Sequence, residues 1–248
     1  MDFKTVSDDF LVTTILQTQM KIPRSRENVL HFFDALKKAF PEMTVFYQRE
    51  PGEFVLESDR KTGSYMVCGI ASNRITTMSY NPENLEASNA LNKWVLEKCP
   101  FYFGISEIDI HSLDVAFGFN FDYRGNRNQV ISDALLHDSD LGALGDDWDL
   151  AKPVEFEPRI TYSLDDDGFR YAILDIESCC DQYQVRTGKY DDEPIAISFA
   201  VRQYPKPGEL MNILDSYSYQ LQIGELLCIK NIIPRIVMQI SQTIATKG

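Results

Sequence analysis

EIDIHSLDVAFGFNFDY, residues 107–123, lies near the middle of the chain. Within it Leu113, Val115, Phe117, Phe119 and Phe121 alternate with smaller or more polar residues without a break. A period of two places all five on one face of a strand. The stretch also divides the chain, because the order of elements before it begins again with it.

Before it, Leu11 to Ile22 reads as a strand, with Val12, Leu16, Met20 and Ile22 on one face. IPRSRENVLHFFDALKKAFPE (22–42) reads as a helix capped by Ser25 and stopped by Pro41, with Val29, Phe32, Phe33, Leu36 and Phe40 at helical spacing. Four short strand-like runs follow: MTVFYQ, EFVLES, YMVCGIA and RITTMSY, separated by EPGE, DRKTG and SN. A second helix is expected with Asn81 as cap and Pro82 in its first turn. It buries Ala87, Leu91, Trp94 and Val95 and ends before Pro100.

After the 107–123 strand, NRNQVISDALL predicts a short helix. An acidic loop runs from His137 to Asp149. RITYSL and FRYAILDI make a hairpin through Asp167-Gly168, and PIAISFAVRQY a further strand. Helix returns from about Gly208, with Leu210, Ile213, Leu214, Tyr217 and Leu221 as one stripe. Leu226, Ile229, Ile233, Ile236, Val237, Ile240 and Ile244 form the next, and Pro234 is expected to kink it. The expected class is α+β, with antiparallel sheet packed against helices and two halves, 1–103 and 104–248, each a strand-helix-strands-helix unit. This element order resembles the TATA-box-binding-protein-like arrangement and its helix-grip relatives. It is also similar to the small acidic α+β chaperones of bacterial secretion systems. No residue motif carries either likeness, and neither transfers a site.

The 248 residues carry a net charge of -13, which repels phosphate backbones and argues against nucleic acid as a partner. From Asp133 to Asp167 eleven acidic residues face only Lys152 and Arg159. The amino terminus lacks a basic segment followed by an apolar run, and no segment approaches the ~20 apolar residues of a membrane span. With five scattered cysteines, this predicts a cytoplasmic protein with no membrane partner.

DIESCCDQYQVRTG (175–188) is the nearest approach to a chemical motif. Adjacent strand residues point to opposite faces, and no other cysteine or histidine stands at ligand spacing. Cys179 and Cys180 therefore read as ordinary thiols at a strand end, with no metal and no cofactor. Phe117-Gly118-Phe119 echoes the centre of an RNA-recognition strand, but Val115, Ala116 and Asn120 break the pattern around it. Phe117, Phe119 and Phe121 read first as core and second as a pocket wall. The acidic loop is not an EF-hand, since Ala143 replaces the required glycine and Asp149 the final glutamate. Leu141, Leu144 and Trp148, interleaved with five aspartates, are its candidate docking residues. No phosphate loop, H-E-x-x-H or G-x-S-x-G occurs, and His111 and Asp114 face opposite sides of a strand. The expectation is a non-enzymatic, chaperone-like binding protein whose partner is another protein or itself. A small-molecule pocket between sheet and C-terminal helix is the alternative, and a dispersed active site comes third.

Overall fold

A computed structural model of the chain describes residues 3–49, 52–144 and 152–247. The strands are β1 (Asp9–Thr18), β2 (Met43–Arg49), β3 (Glu53–Ser58), β4 (Tyr65–Ile70), β5 (Arg74–Tyr80), β6 (Ile110–Phe121), β7 (Arg159–Ser163), β8 (Arg170–Glu177) and β9 (Ile195–Gln203). They form one antiparallel sheet in the order β2-β3-β4-β5-β1-β6-β9-β8-β7. The helices are α1 (Arg26–Ala39), α2 (Leu85–Phe103), α3 (Arg127–Leu136), α4 (Asp140–Ala143), α5 (Gln182–Thr187), α6 (Ile213–Leu227) and α7 (Met238–Lys247). The α+β class, the antiparallel sheet and the long C-terminal helix are as expected from sequence. Among the described residues no helix is long and apolar enough to cross a membrane.

The 107–123 stretch is the hinge of the architecture. Its strand, β6, pairs with β1 at the centre of the sheet, with Val12 opposite Phe117 and Leu16 opposite Leu113. Outward from that pair the halves are laid out alike. The first runs β1, β5, β4, β3, β2 and the second β6, β9, β8, β7. Period-two burial on β1 (Phe10, Val12, Thr14, Leu16, Thr18) and on β6 (Phe117, Phe119, Phe121) faces the same side. There α1, α2 and α6 cover the sheet. Each fully buried phenylalanine contributes about 1.5–3 kcal/mol relative to exposure.

Helix α1 begins at Ser25, whose hydroxyl accepts from the Asn28 N–H, and ends at Phe40 just before Pro41. The start of α2 differs from expectation. Its cap is Asn84, not Asn81, and Ala87 is exposed. Asn81 instead sits in the left-handed region at φ 45. Its side chain accepts from the Phe10 N–H and donates to Asp9, tying the end of β5 to β1. Pro100 does not end α2 either. The helix runs through it to Phe103, which packs on Phe32 at 5.1 Å, and stops at left-handed Gly104. A buried aromatic anchor outweighs one missing backbone hydrogen bond in a last turn.

The C-terminal helix starts at Ile213, capped by Asn212, rather than near Gly208. Its buried stripe is Ile213, Tyr217, Gln220 and Gly224, whereas Leu210 and Leu214 point outward. Gly224 explains the rotation. A Cβ there would lie 2.6 Å from the Phe117 ring, so the helix seats on β6 through its one residue without a side chain. Pro234 is absorbed in a π-helical run, Cys228–Val237, before α7 continues. A π-helical register relieves the clash between a proline ring and the preceding turn.

Candidate functional site

The two edges of the sheet differ. β2 closes the first half outside β3 and carries a register shift between Met43 and Val45. Such a bulge blunts an edge against further pairing. In the second half β7 stands where β3 does, and no strand among the described residues lies beyond it.

The chain segment that would supply that strand runs from α4 to β7. Residues 153–157 of it are fastened elsewhere. Asn126 and Asn128, at the start of α3, donate to the carbonyls of Pro153 (2.8 Å) and Val154 (3.0 Å). The Phe156 N–H returns to Asn128 Oδ1, and Glu157 accepts from both the N–H and the hydroxyl of Ser178. Residues 153–157 thus cross the helix start instead of lying along β7, and all five residues of β7 are exposed.

The direction of the β7 backbone groups follows from the ladder. Leu164 N–H bonds Arg170 C=O and Ile176 N–H bonds Pro158 C=O, so even-numbered residues of β7 turn their backbone toward β8. Arg159, Thr161 and Ser163 turn theirs outward. Ile160 and Tyr162, 42% and 63% exposed, lie side by side on the helix-bearing face. The strand is flanked by Glu155 and Glu157 before it and Asp165, Asp166 and Asp167 after it.

Behind this edge the 175–188 stretch has a structural task. β8 ends at Glu177, Cys179 is left-handed at φ 48, and Asp181 caps α5, a six-residue helix too short to carry a periodic sequence signal. Arg127, fully buried at the first position of α3, fixes this connection. Its guanidinium donates to the carbonyls of Ser178 (2.6 Å), Cys179 (2.5 Å) and Asp191 (3.0 Å) and to Gln184 Oε1. A buried cation met by neutral carbonyls carries no signature that sequence alone displays. Burial raises both thiols, Cys179 also through Glu177 and Glu193, so neither is an activated nucleophile. Among the described residues no His, Cys, Asp and Glu side chains gather with metal-binding geometry.

The remaining sequence-derived candidates are dispersed. Phe117, Phe119 and Phe121 are buried in the core, and Phe3 stacks over Phe10 and Phe117. Leu141 and Leu144 are exposed on and just after α4. Trp148 lies outside the described residues. Asp114 is paired bidentately with Arg202 directly across β6 and β9, at 2.8 and 2.6 Å. Exposed His111 rests edge-on against Tyr204.

A cavity of about 450 Å³ opens between β1, the start of α2 and the C-terminal helix. Phe3, Phe10 and Leu221 form its floor and Glu83, Glu86 and Glu225 its rim. Asn89 Oδ1 is buried there without a hydrogen-bond partner. No protein-family model matches this chain, and no curated protein matches it.

Proposed function

We propose that this chain is a non-enzymatic, chaperone-like protein-interaction module of the cytoplasm that receives a partner's extended segment on the outer edge of β7. The observation that carries the reading is the row of outward backbone groups at Arg159, Thr161 and Ser163, flanked by exposed Ile160 and Tyr162. Main-chain bonds supply affinity in such strand addition, and alternate side chains supply specificity. The acidic surroundings favour segments without clustered negative charge. Exposed Leu141 and Leu144 add apolar surface that the same or another protein can cover. Five free cysteines suit a reducing compartment.

Photo-crosslinking tests this. An activatable residue at Tyr162 should capture a polypeptide in the protein's own cells, and Thr161→Pro, which deletes an outward N–H, should abolish the adduct. An adduct that survives Thr161→Pro in folded protein, or none at all, defeats the reading.

The cavity beside α2 supports a second reading, a small-molecule site, because Asn89 Oδ1 is a buried acceptor awaiting a donor. Native mass spectrometry of protein from its own cells should then show a retained ligand, lost in Asn89→Ala. A bare chain mass rejects it.

A further inference from the structure

We infer that the segment received by β7 is β7 of a second copy, paired antiparallel about a two-fold axis through Thr161. This rests on β7 being the docking edge.

Three features of the strand point to itself as partner. The first is parity. An antiparallel pair exchanges both backbone bonds only between residues that each turn their groups outward. Around Thr161 the odd residues meet odd residues: Thr161 faces Thr161 of the second copy and Arg159 faces Ser163. This alignment engages the whole of β7 with no residue left over.

The second feature is the side chains it brings together. Ile160 falls opposite Tyr162 twice, related by the axis, and covers the two exposed apolar residues of the edge. β-Branched–aromatic and Thr–Thr pairs are favourable across strands, and no charge meets its like within the strand. The third is the layout of the fold. In the first half the site beyond β3 is filled by an antiparallel strand, β2. A second copy's β7 would fill the matching site in the second half, where no strand of the described residues lies, with the same polarity, and would do so for both copies at once.

The flanking acids set the limits. Beyond the strand, Glu157 of one copy approaches Asp165 of the other. Both carboxylates are already turned back onto their own chain, Glu157 to Ser178 and Asp165 to the N–H groups of Phe169 and Arg170. Pairing therefore stops at the strand ends. A contact of five strand residues a side falls short of the ~20–30 residues a side of a standard stable interface, so the dimer should exchange readily and depend on concentration. Two chains of net charge -13 repel, so added salt should tighten it.

Sedimentation velocity of the full chain over a concentration series, at low and moderate salt, should show a monomer–dimer equilibrium shifted toward dimer by salt. Thr161→Pro should be monomeric. Ile160→Lys with Tyr162→Lys, which a monomer tolerates at exposed sites, should be monomeric too and serves if the proline variant misfolds. With Cys179 and Cys180 replaced by serine, Thr161→Cys should cross-link to itself, whereas Ile160→Cys should cross-link only when mixed with Tyr162→Cys. A monomer at every concentration overturns the inference, as does a dimer that persists in the folded lysine variant. If the Tyr162 photo-adduct is a different polypeptide and the chain stays monomeric, the docking edge stands and the second copy falls. If there is neither adduct nor dimer, both fall.

Discussion

One amide side chain can hold three elements together, as Asn92 does. Asn92 on α2 accepts from Thr77 of β5 at 2.6 Å and donates to the Tyr217 hydroxyl on α6 at 3.1 Å, all fully buried or nearly so. Burial pushes the Tyr217 phenol up to about 12 from an ordinary 10.0, and the hydrogen bond from Asn92 pulls the other way. A group whose pKa is raised on folding stabilises fully below its unfolded value and loses that contribution as pH climbs through the folded one. Stability should therefore be nearly flat up to about pH 10 and fall by about 2 kcal/mol on this account by pH 12. Denaturant melts across that range measure it. Tyr217→Phe should flatten part of the decline while costing about 1–3 kcal/mol at neutral pH, because the Asn92 amide is left without an acceptor. An unchanged neutral-pH melt for Tyr217→Phe would show that the bond contributes nothing. None of this is legible in sequence, where Tyr217 is one more apolar position in a helical stripe and Asn92 carries no local signal.

Helix α6 depends on an absence of side chain. Gly224→Ala gains about 1 kcal/mol in helix propensity but drives a methyl into the fully buried Phe117 ring. Overpacking of this kind costs about 1–3 kcal/mol, so the variant should melt lower, not higher. A raised melting temperature would mean that the helix slides freely on β6. Period and punctuation revealed most of the elements: the strand alternation, the Ser25 cap and the Asp167-Gly168 hairpin, whose glycine is left-handed at φ 72, are local signals. The errors share a cause. Local preference alone misplaces Asn81, Pro100 and Leu210, because in each case a long-range contact decides. Phe103 extends α2, Gly224 rotates α6, and Asn81 serves β1 rather than a helix. That no strand of the described residues lies beyond β7 is illegible in sequence for a related reason, since it depends on where residues 153–157 are tied down.

The whole molecule should protect its thiols by depth. Cys68, Cys99 and Cys228 are buried and burial raises all three, whereas Cys179 and Cys180 are partly exposed. Native protein should therefore take label slowly and only at Cys179 and Cys180, and all five should react in denaturant, as intact-mass spectrometry would show. Rapid native labelling of Cys68 would indicate that the sheet opens. The central pairing has a further consequence, in time rather than space. β1 is made before the other strands of this sheet, and its partner β6 follows roughly a hundred positions later. At ~5–20 residues per second the ribosome needs on the order of 5–20 s to supply it. Meanwhile the strand that will become the middle of the sheet is the rim of a half-built one, with Phe10, Val12 and Leu16 awaiting Phe119, Phe117 and Leu113. A chain severed between its halves would keep that raw rim permanently, so the two halves share one fate during synthesis and cannot be parted without exposing it.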